Sequence, residues 1–273
     1  MKKRRADERL FEELNLESLS LARALIMEGR VFAGERKLKS PGELVSEKET
    51  MRVRGALDPY VSRGAHKLKK ALEAFALDVK GETCVDVGAS TGGFTDVLLR
   101  AGAKHVYAVD VGYNLLDYRL RADGRVTVME RVNARFLRPE DFPQRPSFGA
   151  TDVSFISLEA VLPAALAALD GANRRFVALV KPQFEAPRED VGEKGVVRDE
   201  AVHRRVLERI TAFVPTLGWK CAGLDFSPIR GPEGNIEFLL YIVPADAEAE
   251  ALHEYAISDT IRRAYDKFIK KSE

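Results

Sequence analysis

VDVGASTGGFTD, residues 85–96, carries an apolar run through a glycine-rich turn into a helical pattern. Cys84, Val85 and Val87 continue a strand, and Asp86 sets an acid inside it. Gly88, Gly92 and Gly93 then surround small polar residues before Phe94 and Val97 to Leu99 open a helix. Glycines in such a turn let the backbone approach a ligand, and free amides at a helix N-terminus favour an electron-rich group. A second apolar strand, Val106 to Val109, ends in Asp110, an acid placed to accept hydrogen bonds from a ribose diol at the edge of a doubly wound sheet.

Two common nucleotide sites fit poorly. No Lys-Ser/Thr follows the glycines, as a triphosphate-binding loop requires, and the dinucleotide spacing G-x-G-x-x-G is missing. D-x-G-x-x-x-G-G with an acid closing the next strand looks like an S-adenosylmethionine (S-adenosyl-L-methionine) site. Candidate cofactor contacts are Asp86, Gly88, Ala89, Ser90, Thr91, Gly92, Gly93, Phe94 and Asp110. Further on, Asn133 offers an amide to an adenine edge, although a purely turn-forming asparagine fits as well.

Outward from this turn the chain alternates. Strands are predicted at 83–87, 105–110, 125–130, 148–153 and 175–181, with helices at 92–101, 113–121, 157–168 and 199–216. Such a series builds a mainly parallel sheet with helices on both faces. Strands at 219–228 and 235–243 follow one another directly and are expected to form an antiparallel edge, and residues 246–273 read as a charged, helical surface tail. At 273 residues, 45% of them hydrophobic, the chain can bury an α/β core and carry a smaller module beside it.

That module lies at the N-terminus. Residues 1–70 hold 17 Lys and Arg against 11 Asp and Glu, a surplus of six, whereas the remainder holds 26 against 31. The basic end is therefore the expected polyanion-binding end. Helical spacing covers 7–14 and 18–28, the second helix leaving Arg23 and Arg30 free for solvent or phosphate. The candidate RNA contacts are Arg4, Arg5, Arg23, Arg30, Lys37 and Lys39, with Arg63 beyond them. Residues 46–59 are charged and lack apolar periodicity, which places a linker there and domains at 1–58 and 59–273. Only Cys84 and Cys221 occur, both in predicted strands, so neither a disulfide framework nor a zinc cluster is expected. The basic start has no apolar stretch behind it, and no window reaches membrane-spanning length. A cytoplasmic protein without membrane or metal partners is expected, and a monomer.

Ligands of open α/β sheets collect beyond the carboxyl ends of the strands, where Asp152, Lys181 and Glu237 each set a charge against an apolar strand. Ribose 2′-oxygen methylation needs such a group of charges, because a weakly acidic hydroxyl must lose its proton as a sulfonium methyl arrives in line. Lys181 is the candidate base, Asp152 would orient it and attract the sulfonium, and Glu237 would complete the network. A second lysine beside Lys181 would help to neutralise it. The helix after the linker offers Lys67, Lys69 and Lys70, and its pattern selects none of them. Amino methylation, the competing chemistry, usually carries an (Asn/Asp)-Pro-Pro-(Tyr/Phe) turn where this chain reads Asp152, Val153, Ser154, Phe155.

Two resemblances add to this reading. S-x-A-R-A-L-I-x-x-G-R-V at 20–31, then Gly34, Lys39-Ser40-Pro41-Gly42 and Leu44-Val45, resembles the small RNA-binding domain named after ribosomal protein S-four, with Phe32-Ala33-Gly34 in place of the usual Val-Asn-Gly turn. SRGAHKL (62–68), DVGASTGGFTD, AVDVGY (108–113), TDVSFISL (151–158), LVKPQFE (179–185), GVVRDxxVH (195–203) and SPIRGPEGNIEF (227–238) together resemble the TlyA/hemolysin A family, with a departure at Leu116 and Asp117. The family joins an S-four-type α+β domain to an FtsJ-like, Rossmann-like methyltransferase domain with a seven-stranded sheet. The resemblance implies S-adenosylmethionine-dependent 2′-O-methylation of cytidine riboses in ribosomal RNA of assembled subunits. It also implies that Lys67 is the first member of a Lys67, Asp152, Lys181, Glu237 tetrad. A non-catalytic RNA-binding factor would be expected to have lost the tetrad or the turn, and both are intact. A cytolysin would need a membrane-inserting segment that the sequence does not show.

Overall fold

The computed structural model describes residues 3–14, 16, 18–55 and 58–269; Ala56 and Leu57 of the expected linker and residues 270–273 of the expected tail lie outside them. The chain divides into two compact units, Met1–Pro59 and Tyr60–Glu273.

In the first unit β1 (Lys3–Arg5) leads into α1 (Ala6–Glu13) and α2 (Leu19–Met27), the latter capped by the Ser18 side chain. Short strands follow: β2 (Val31–Ala33), β3 (Arg36–Lys37), β4 (Leu44–Ser46) and β5 (Met51–Val53). Strands β3-β2-β5 form one antiparallel sheet and β1-β4 another. Gly34, at φ +57°, turns the β2–β3 hairpin in the left-handed region without strain. Leu10, Leu25, Ile26, Val31, Leu38 and Val45 form the core. The expected linker is corrected here: Met51 is buried against that core and its strand pairs with β2, so a single apolar anchor sufficed where no periodicity was visible.

The second unit opens with α3 (Ala65–Ala74) and continues through β6 (Thr83–Val87), α4 (Gly93–Arg100), β7 (His105–Asp110), α5 (Tyr118–Arg121), β8 (Val126–Glu130) and β9 (Phe148–Thr151). Then come α6 (Leu158–Ala167), β10 (Arg175–Val180), α7 (Pro182–Glu185), α8 (Glu200–Phe213), β11 (Trp219–Phe226), β12 (Phe238–Pro244) and α9 (Ala256–Phe268). Seven strands in the order β11-β12-β10-β9-β6-β7-β8 make one sheet, parallel from β10 to β8. The hairpin strand β12 inserts antiparallel between β10 and β11. Chain direction reverses its march between β6 and β9, the switch point at which open sheets bind ligands.

Alternation along β6 turns Val85 and Val87 to the face covered by α6, α8 and α9, and Cys84 to the face covered by α3 and α4. The helix expected at 113–121 is shorter, a single turn at Tyr118–Arg121. Asn114 at φ +57° breaks the earlier part, and Asp117 caps the turn by accepting from Arg119 N. The departure at Leu116 and Asp117 finds its place here. Leu116 and Leu120 occupy the space beside Gly92, and Asp117 N donates to Thr91 O at 3.2 Å. Among the described residues no helix is long and apolar enough to cross a membrane.

Candidate active site

A cleft of about 500 Å³ opens at the switch point, lined by the turn after β6, the ends of β9 and β10, and the start of α3. On one side stands Asp86, fully buried. Its Oδ2 accepts from Thr95 N at 2.9 Å and Thr95 Oγ1 at 2.7 Å, whereas Oδ1 has no hydrogen-bond partner among the described residues. Burial pushes the carboxyl up to about 7, against the two Thr95 hydrogen bonds. An unpartnered buried acceptor lining the cleft fits the ammonium of an amino-acid cofactor.

The glycines serve the packing of the turn as well as its approach to the cleft. A β-carbon on Gly88, at φ +86°, would stand 3.0 Å from Asp152 O, so this glycine lets the β6 turn close on the end of β9. Gly92 is filled by Leu120 and Leu116, and Gly93 by Ser62 and the Ala65 amide of α3. Gly88, Ala89, Ser90, Thr91, Gly93 and Phe94 line the cleft; Gly92 packs against Leu116 and Leu120.

Beside it lies a slot of about 450 Å³ with walls from Val111, Leu115, Val132, Val153 and Ile156, wide and apolar enough for a purine. Asp110 lines it, held by Ser90 N on Oδ2 and Gly112 N on Oδ1, both at 2.7 Å. Asn133 lines it too, while its Oδ1 accepts from Arg135 N at 3.1 Å; the turn-forming and slot-lining readings both describe it.

Across the cleft the structure brings Lys67, Asp152, Lys181 and Glu237 together. Asp152 bridges the lysines, with Oδ1 2.5 Å from Lys181 Nζ and Oδ2 3.3 Å from Lys67 Nζ. Lys67 Nζ lies 2.7 Å from Glu237 Oε2. The Lys181–Asp152 and Lys67–Glu237 contacts lack hydrogen-bond alignment and act as ion pairs. Two positive and two negative groups share a site where each is at most 19% exposed, which offsets the desolvation that would expel any one alone. Burial works against the charge on Lys67, but Asp152 and Glu237 overcome it and hold its pKa above the ordinary value. The neighbouring lysines are otherwise engaged: Lys70 pairs with Asp225 at 2.9 Å, and Lys69 with Glu73 at 3.5 Å.

Several lining residues escaped the sequence reading. Ser154 Oγ accepts from Lys181 Nζ at 2.9 Å, and Gln183 Nε2 donates to Glu237 Oε1 at 3.5 Å. Phe155 is 90% exposed at φ +62°, with its ring 4.8 Å from that of Phe184 at the cleft. An aromatic in TDVSF was visible, but a left-handed backbone that turns it outward was not.

The expected RNA contacts scatter. Arg63 is exposed in the second unit, near the cleft-lining Ser62 and Gly64. In the first unit Lys37 and Lys39 are exposed, and Arg4 pairs with exposed Glu12 at 2.7 Å. Arg23 is not free as expected: with Arg5 it pairs with fully buried Asp7, at 2.9 and 2.8 Å, and the Arg5 hydrogen bond foremost holds that carboxyl down to about 2. Nor is Arg30, which donates to Arg54 O at 3.1 Å and pairs with Glu28 at 3.5 Å.

Comparison with known proteins agrees with this geometry. The FtsJ-like methyltransferase family model matches residues 60–243. YqxC of Bacillus subtilis is 48% identical over 267 residues, covering 97% of this chain and 95% of its own length. The 16S/23S rRNA (cytidine-2′-O)-methyltransferase TlyA of Mycobacterium tuberculosis is 47% identical over 205 residues, 75% of each chain. A solved structure named as a hemolysin, from Streptococcus thermophilus, superposes with a TM-score of 0.79 at 43% identity, covering 100% of this chain and 99% of that one. The chain belongs to the FtsJ-like methyltransferase family and, within it, to the TlyA/hemolysin A proteins, as an S-adenosylmethionine-dependent methyltransferase.

Proposed function

We propose that this protein methylates the 2′-oxygen of cytidine ribose in ribosomal RNA of ribosomal subunits, working in the cytoplasm. The observation that carries the proposal is the bridging of Lys67 and Lys181 by one carboxylate, Asp152, inside the cleft that also holds the unpartnered Asp86 oxygen. The substrate follows the activity for which the M. tuberculosis relative is named.

Asp86, the 88–94 turn, Asp110 and the apolar slot are the residues that would hold S-adenosylmethionine. When bound, it supplies an electrophilic methyl on a sulfonium. The ribose hydroxyl is then activated by Lys181, with Asp152 and Ser154 fixing the direction of its Nζ. Lys67 stays charged between Asp152 and Glu237 and keeps Asp152 pointed at Lys181. Phe155 and Phe184 present aromatic faces at the mouth of the cleft, suited to a base turned out of its stack. The first unit is assigned as the RNA-docking domain, resting on its S-four-like sequence and exposed basic side chains.

Transfer of labelled methyl from S-adenosylmethionine to purified ribosomal subunits tests this. Label is expected at one or few cytidines whose 3′ linkage resists alkali. Label on a base, or none on either subunit, would end the proposal.

A further inference from the structure

The loop from 186 to 199 carries a charge that the tetrad does not use. Lys194 adopts φ +61° and Gly195 φ +72°, so a lysine sits where glycine is the unstrained choice. The loop is fastened around it. Asn235, 2% exposed, accepts from Val197 N at 2.9 Å and donates to Gly195 O at 2.8 Å, and Gly192 N donates to Val196 O at 3.1 Å. Val196 and Val197 are buried, while Lys194 is exposed and lines the cleft. Lys194 makes no ion pair among the described residues, Glu233 on the same rim included, whereas each tetrad lysine faces a carboxylate.

Its position narrows the ligand. Gln183 and Phe184, which follow β10, and Asn235, which precedes β12, share this rim; the cofactor turn and Asp110 follow β6 and β7. Lys181 and Asp152 lie between the two sides. A cation there meets the anion on the substrate side of the reacting oxygen. We infer that Lys194 binds a backbone phosphate of the RNA next to the target ribose. This inference rests on the proposed RNA 2′-O-methylation.

The full chain carrying Lys194→Gly removes the charge and relieves the backbone, so the variant folds. Against ribosomal subunits its KM is expected to rise about tenfold with kcat kept within twofold, and the slope of log KM against log salt to fall by about one. Lys194→Arg should restore both, and the cofactor Kd by calorimetry should stay within twofold. An unchanged KM and salt slope would overturn the inference alone. A raised cofactor Kd with unchanged KM would reassign Lys194 to the cofactor's carboxylate. If the unaltered protein transfers no methyl to RNA, the proposed function falls and this inference with it.

Discussion

Asp152 and Asp86 line one cleft and show how burial sets two different tasks for the same side chain. Asp152 has two lysines to satisfy it; Asp86 has Thr95 on one oxygen and, among the described residues, no hydrogen-bond partner on the other. Removing the group proposed to activate the ribose hydroxyl isolates the first task. Lys181→Ala should lower methyl transfer by about 10³-fold or more, with cofactor Kd changed less than fivefold; turnover within tenfold of the unaltered protein would remove Lys181 from its role. The second task is visible through pH. With its pKa raised from 3.8 to about 7, Asp86 is protonated in the ligand-free fold between those values. The unfolded chain gives up that proton first, so the stabilisation is full below about pH 4 and is lost as pH rises to about 7, by about 4 kcal/mol at most. An ammonium reverses the preference by pairing with the ionised form. Cofactor affinity should therefore climb toward tenfold per pH unit between about pH 5 and 7 and level off above. Calorimetry in that range checks it, and Asp86→Asn should flatten the profile; a flat profile in the unaltered protein would mean that Asp86 does not meet the ammonium.

A buried imidazole sits between helices α8 and α9. His203 is 1% exposed, with Nδ1 2.9 Å from Tyr265 Oη, which itself donates to Arg198 O at 3.0 Å. Burial pushes the imidazole down to about 4 from 6.5, against the nearby Asp199 charge. Its contribution is present above about pH 6.5 and is lost as pH falls to about 4, because the unfolded chain takes up the proton first; the loss approaches about 3 kcal/mol. Between pH 7 and 5 the Asp86 change runs the other way, so the His203 share is read as a difference: denaturant titrations of His203→Gln should show stability at pH 5 relative to pH 7 higher by about 2 kcal/mol than in the unaltered protein. An equal pH dependence in both proteins would place the acid sensitivity elsewhere. This pairing also marks where the sequence was legible and where it was not. The βα alternation and the two charged strand ends at Asp152 and Lys181 follow from period and polarity, which one sequence displays. His203 was only a letter in GVVRDxxVH, since its partner lies 62 residues away. The same limit hid β5 and the filling of the space beside Gly92 by Leu116 and Leu120, and it left periodicity unable to choose among Lys67, Lys69 and Lys70, a choice that came from the family resemblance; all of these depend on packing between distant segments.

At the scale of the molecule, the charge asymmetry that marked the N-terminal end shrinks when the unit boundary is applied. Residues 1–59 hold 13 Lys and Arg against 11 Asp and Glu; four of the cations counted up to residue 70, Arg63, Lys67, Lys69 and Lys70, belong to the second unit. Much of the remaining charge is paired. The exposed Arg4–Glu12 pair is screened by solvent and opens readily to phosphate, whereas Arg5 and Arg23 satisfy a buried carboxylate and are held. Docking by this unit must then rest on shape and a few exposed cations such as Lys37 and Lys39 more than on net charge. The second unit has its own two cores, one on each face of its sheet, and all the residues of the cleft. A protein comprising residues 60–273 is therefore expected to melt cooperatively and to bind S-adenosylmethionine within threefold of the full chain. Its KM for ribosomal subunits should rise by tenfold or more, with the salt slope reduced by only about one to three, the yield of a few phosphate contacts. A KM matching that of the full chain would remove the first unit from substrate docking. A slope lowered by six or more would mean that the paired arginines also reach phosphate, against the pairing seen around Asp7.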